Sequence, residues 1–169
     1  MTSLTRLMTV LSVALLPGFA LGHDYKLGDL HVAHPFARAT AATAMAGAGY
    51  LTILNSGTAD DTLIGVEADF PRVMVHDSKT VDGVASMLAV ESVTIPAGET
   101  VTFAPGGLHV MFMGLDGDPL DAGEEVPATL IFENAGRLEV VFKVEDGEAE
   151  MDHGAMDHGA ASHDGAASE

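Results

Sequence analysis

Apolar and polar residues alternate along most of this chain in short runs broken by turns. GYLTILN (49–55), DTLIGVEA (61–68), RVMVHD (72–77), VASMLAV (84–90), TVTFA (100–104), LHVMFMG (108–114), VPATLIFEN (126–134) and RLEVVFKVE (137–145) are rich in β-branched and aromatic residues. NSGTAD, ADFP, TVDG, PAGE, PGG, DGDP and NAG separate them, all of them turn-forming sequences. No window sustains the 3.6-residue period of a core helix. Short strands at this spacing predict an all-β protein, a sandwich or a Greek-key barrel.

The two ends break the pattern. Residues 1–22, MTSLTRLMTVLSVALLPGFALG, have a short basic start at Arg6, an apolar run, a Pro17-Gly18 break and the small residues Ala20 and Gly22. This is the layout of a signal peptide cleaved after Gly22, which implies an exported protein with no stable membrane insertion after cleavage. From residue 147 the chain has no β-branched or aromatic residue and repeats MDHGA twice before ASHDGA. Such a segment buries too little apolar surface to offset its ordering entropy, so residues 147–169 are expected to be a disordered acidic tail. Residues 23–146 are then the folded domain.

Charge narrows the partners. The chain carries 7 basic and 25 acidic residues, a net charge of −18 that becomes −19 once the leader and its single arginine are gone. So acidic a surface repels phosphate backbones, which argues against nucleic acid and favours cations. The sequence contains no cysteine, so an exported domain has no disulfide to lean on and no thiol for lipid attachment.

Candidate chemistry stands on the strands themselves. In LHVMFM a strand places His109, Met111 and Met113 on one face and Leu108, Val110 and Phe112 on the other. Two more soft donors, His76 and Met87, lie on the strands flanking TVDG. If Thr80 pairs with Gly83, His76 faces Met87 across the hairpin, and a bulge at Gly83 slips that register by one. Two imidazoles with two thioethers favour Cu(I) over zinc, magnesium or calcium, and without a cysteine thiolate they do not make a blue-copper centre. A coordination sphere filled by four protein donors suits holding and releasing an ion better than turning over a substrate, so no enzyme is expected.

The spacing is also specific. His76, ten residues, Met87, twenty-one residues, then His109-Val110-Met111 resembles the ligand pattern of the PCu(A)C-type periplasmic copper chaperones. The resemblance extends to ARAT (37–40), GYLTILNSGTADDTLIGV (49–66) and VPATLIFENAGRLEVVFKVE (126–145). Two departures leave the four ligands untouched: Asp77 follows the first histidine where Met or Glu is common, and Phe36 replaces an early tryptophan. The resemblance implies a cupredoxin-like β-barrel, a periplasmic location, and delivery of Cu(I) to the copper-site subunit of cytochrome c oxidase, in some members with a Sco-type thioredoxin-like partner. A copper buffer or tolerance protein without a specific acceptor is the alternative, and a small copper oxidoreductase a more distant one.

Other donors have weaker claims. Met74 and Met113 share the ligand faces of their strands but are expected to serve as packing. His31 and His34 precede the first expected strand and are read as exposed. His23 becomes an N-terminal chelator of Cu(II) only if cleavage follows Gly22. Met151, His153, Met156, His158 and His163 make the tail an auxiliary copper-capturing string, for Cu(II) through imidazole and carboxylate and for Cu(I) through thioether.

Overall fold

The structure, a computed structural model, describes residues 24–81 and 84–146. Among these there are strands, turns and no helix. The strands are β1 (Tyr25–Leu27), β2 (Leu30–Arg38), β3 (Ala46–Asn55), β4 (Asp61–Ala68), β5 (Arg72–Val81), β6 (Val84–Val90), β7 (Val93–Ile95), β8 (Thr100–Phe103), β9 (Leu108–Met113), β10 (Glu125–Phe132) and β11 (Gly136–Glu145). The eight expected runs all form strands. Three more, β1, β2 and β7, were not anticipated.

The physical reason β2 escaped notice lies in its sequence, LHVAHPFAR. Proline within a run argues against a strand, and here the ladder with β3 shifts register between Ala33 and Phe36. His34 sits in that irregularity at a φ of 49°. The bulge changes which parity faces inward, so Leu30 and Val32 are buried before it and Pro35 and Ala37 after it. His31 is consequently a half-buried strand residue rather than an exposed loop residue, while His34 is exposed as expected.

Hydrogen-bonded neighbours run β6-β5-β9-β3-β2-β11-β10-β4-β7, with β1 added to β2 and β8 to β3. All pairings are antiparallel except β11 with β2, which is parallel. The chain crosses from one end of this path to the other between β4 and β5, which lie against each other, so the sheet curls into a nearly closed barrel. This is the all-β, cupredoxin-like architecture.

Inside it, Phe103, Phe112, Phe132 and Phe142 pack with Leu51, Ile53, Leu63, Ile95 and Leu130, all essentially inaccessible to solvent. Gly49 on β3 lets Phe112 and Phe142 close over the backbone, because a Cβ there would stand 2.8 Å from the Phe112 ring. Gly114 ends β9 at a φ of 87° and seats against Pro71 at the start of β5, docking these two strands. Buried Asp61 accepts hydrogen bonds from the backbone N–H groups of Thr62, Asn134 and Ala135, which ties the β10–β11 turn to β4.

Candidate metal centre

The candidate site forms on the outer face of β6, β5, β9, β3 and β2. Along β9, Val110 and Phe112 point into the core at 0% exposure, which leaves His109, Met111 and Met113 on the opposite face as the alternation predicted. β5 does the same: Val75 is buried, so Met74 and His76 face outward. The β5–β9 ladder sets His76 directly across from His109. Their ring centres are 6.0 Å apart. Two imidazoles sharing one ion through metal–nitrogen bonds of about 2 Å have centres at most roughly 6.3 Å apart, so the separation is within the reach of a single ion.

The two rings are prepared differently. His109 is buried and its Nδ1 lies 2.9 Å from the carbonyl oxygen of Gly107. A carbonyl only accepts, so Nδ1 carries the proton and Nε2 the lone pair, an orientation typical of metal-binding histidine. The same carbonyl also accepts from the Ser78 N–H at 3.1 Å, which fastens the Ala104–Gly107 turn to β5. His76 Nδ1 is buried with no hydrogen-bond partner. A buried polar atom left unpaired invites an explanation, and a lone pair reserved for a metal supplies one.

Burial, and then the neighbouring His109, hold the His76 imidazole below its ordinary value of 6.5. It is therefore neutral, and able to ligate, at pH 7 and for some way below its usual range. For the apo fold the sign is destabilising on acidification, because the unfolded chain takes up the proton first. Cu(I) affinity is expected to stay flat from pH 8 to about 6.5 and then weaken towards pH 5 as protons compete. Chelator competition across that range checks it, and an unchanged affinity at pH 5 would exclude imidazole ligation.

The two methionines are placed unequally. Met111 is half-buried, two residues beyond His109 on the same face. Met87 is 54% exposed on the edge strand β6. Its register differs from expectation: Thr80 pairs with Ala85 and Val81 with Val84, so Met87 lies across from Ser78, and His76 across from Ala89. The difference is two residues, which keeps Met87 on the His76 face but makes the pair diagonal, about 7–8 Å apart between Cα atoms. The pairing of Val81 with Val84 leaves Asp-Gly, rather than Val-Asp, between the two strands.

A row of rings runs up to and through the site, and Tyr50 is the member that the sequence did not single out. His34, Phe36, Tyr50, His109 and His76 follow one another at centroid separations of 4.8, 5.2, 6.5 and 6.0 Å. Tyr50 is buried against His109, and the Arg38 guanidinium lies 5.8 Å above its ring. No periodicity marks Tyr50 as special, because β3 changes partners from β9 to β8 at that position.

Among the described residues, no three His, Asp or Glu side chains converge as a hard-cation or zinc site would require. A concavity lined by Tyr25, Glu67, Pro127, Thr129 and Glu139 among others lies on β4, β10 and β11, away from the histidine pair. His23, Met151, His153, Met156, His158 and His163 lie outside the described residues.

Barrel and donor set together define a PCuAC-type β domain. The chain belongs to the LpqE-like family, whose model, described as "Putative lipoprotein LpqE-like", matches residues 30–144, and this is the PCu(A)C-type copper chaperone family indicated by the ligand spacing. A relative from Leifsonia xyli subsp. xyli, "Putative lipoprotein Lxx21020", is 30% identical over 86% of this chain and 94% of its own. Among solved structures, the copper-bound PCuAC domain from PmoF2 superposes with a TM-score of 0.60 at 31% identity, covering 73% of this chain and 98% of that one. CuI-DR1885 from Deinococcus radiodurans does so at 0.52 and 28%, covering 68% and 78%. Among the described residues, no helix is long and apolar enough to cross a membrane.

Proposed function

We propose that this protein is an exported copper chaperone that holds Cu(I) on His76, Met87, His109 and Met111 and passes it to the copper-site subunit of cytochrome c oxidase. The observation that carries the reading is the His76–His109 pair, facing each other across adjacent strands with Met111 beside them on an open face. Soft, neutral donors hold Cu(I) without cancelling its charge, so an acceptor with thiolates, whether the oxidase or a Sco-type protein, draws it away by stepwise ligand exchange. The copper in the related PmoF2 and DR1885 structures supports the cargo. The lipoprotein descriptions of the family and the Leifsonia relative support export, and this reading takes residues 1–22 as the leader and the periplasm as the destination.

Residues 147–169 act as a capturing tail in this reading. Register supports its reach: Glu145 pairs with Arg38, its neighbour Ala37 pairs with Gly49 on the next strand, and Ala48, beside Gly49, pairs with Met111. Three strand spacings of about 4.8 Å make roughly 14 Å. Six residues, the number from Glu145 to Met151, cover about the same root-mean-square distance in a generic flexible linker. Six carboxylates and three histidines in the tail gather Cu(II), its methionines take Cu(I), and the tether raises their effective concentration at the barrel.

A transfer assay tests both parts. Cu(I)-loaded protein, full-length and lacking residues 147–169, is mixed with a purified oxidase copper domain, and metal is counted on each. Both forms are expected to transfer one Cu(I), and the full-length form to bind additional Cu(II). Failure of both to transfer, with Cu(I) retained, would identify a copper buffer instead. Equal Cu(II) stoichiometry in the two forms would reduce the tail to a solvated leash.

A further inference from the structure

Met74 is expected from the sequence to pack, and the strand register sets it across from Met111. Along β5 and β9, His76 faces His109, and one rung further on the same face Met74 faces Met111. These four side chains form a quadrilateral on two adjacent strands, with cross-strand Cβ separations of about 5 Å and rungs roughly 7 Å apart. Met74 does not contribute to the core, because its neighbours Val73 and Val75 pack inward and it points the other way. It is half-buried on the face that carries the imidazoles. Met87, the second sulfur of the sequence motif, is one strand further out, diagonal to His76 and 54% exposed.

We propose that Met74 is a fifth copper donor, an inner thioether that exchanges with Met87 for one coordination position. The inference rests on the reading that His76, His109 and Met111 hold Cu(I). Cu(I) favours thioether sulfur, and on the side of the histidine pair that Met111 occupies, the cross-strand thioether is Met74. Met87 lies on the side towards the hairpin end, where an incoming acceptor meets it first. When Met87 turns away to that acceptor, Met74 moves onto the ion, so the coordination number is kept and copper is not lost to solvent between partners. The exchange forms one Cu–S bond as another breaks, with no change of oxidation state and no proton released, since both thioethers are neutral.

The test uses the full chain with Met151→Leu and Met156→Leu, so that the tail contributes no sulfur. Into it are placed Met87→Leu, Met74→Leu, both together, and Met111→Leu as a control. Sulfur neighbours of Cu(I) are counted by X-ray absorption and affinity is measured by chelator competition. Leu replaces Met with little change of volume, so these variants are expected to fold. Met87→Leu should keep two sulfurs, the double variant should fall to one, and Met74→Leu should cost at least about tenfold more affinity in the Met87→Leu background than alone. The proposal is overturned if Met87→Leu already shows one sulfur and adding Met74→Leu changes nothing. If Met111→Leu leaves sulfur count and affinity unaltered, the underlying copper site is wrong, and with it the role of Met74.

Discussion

Replacing His109 by alanine is expected to lower Cu(I) affinity by more than about 100-fold. Removal of an outer-shell partner from a metal site costs roughly 10–100-fold, and in the proposed site His109 is itself a ligand, with its ring held in place by Gly107. Its 4% exposure on an outer sheet face reflects cover from Tyr50 and His76, so the ring is positioned before copper arrives. His31→Ala serves as the comparison. That residue is also a half-buried strand histidine, but it faces Leu54 and Lys26, and its loss should leave affinity within about twofold. Chelator competition on both variants, with circular dichroism as the folding control, decides the matter. Equal affinities for the two would remove His109 from the site.

Phe112→Ala is expected to cost about 3–5 kcal/mol of stability, read as a shifted midpoint in urea at constant slope. Phe112 is fully buried between Phe70 at 5.1 Å and Phe142 at 5.4 Å, and its β9 neighbours Met111 and Met113 stand on the other face of the strand. Core and site are therefore two faces of one strand, so loosening the first should also weaken Cu(I) binding. A coupling to Gly49 makes the prediction sharper. Gly49→Ala alone forces a Cβ against the Phe112 ring and should destabilise by about 1–3 kcal/mol, as overpacking does. In the Phe112→Ala background that clash is gone, and the same substitution should cost measurably less. Additive losses would mean that the ring and Gly49 do not press on each other.

Much of this was legible in the chain. Period-two alternation is a local property, and it placed His109 and Met111 opposite Val110 and Phe112 before any partner strand was known. The His76, Met87, His109, Met111 spacing pointed to soft-metal chemistry because each residue type carries its donor atom with it. Less legible were β1, β2 and β7, which are short or interrupted. In β2 the inward parity reverses at His34, so no single alternation describes it.

Neighbourhood across strands was decided by tertiary structure. The His76–His109 rung joins positions 33 apart in sequence, and neither strand's own pattern says which residue of the other it will meet. The hairpin register depended on which two residues turned, and the choice of Asp-Gly over Val-Asp moved His76 from Met87 to Ala89. Met74 carried no sequence signal beyond its parity, and its place across from Met111 follows from Gly114 docking on Pro71 and from the ladder that pairs β5 with β9. The sequence thus determined which faces are chemical and which donors they carry, because side-chain direction follows from the local backbone. Which donors stand beside one another was settled by the long-range pairing of β5, β6 and β9, because register is a property of strands that meet only when the barrel forms.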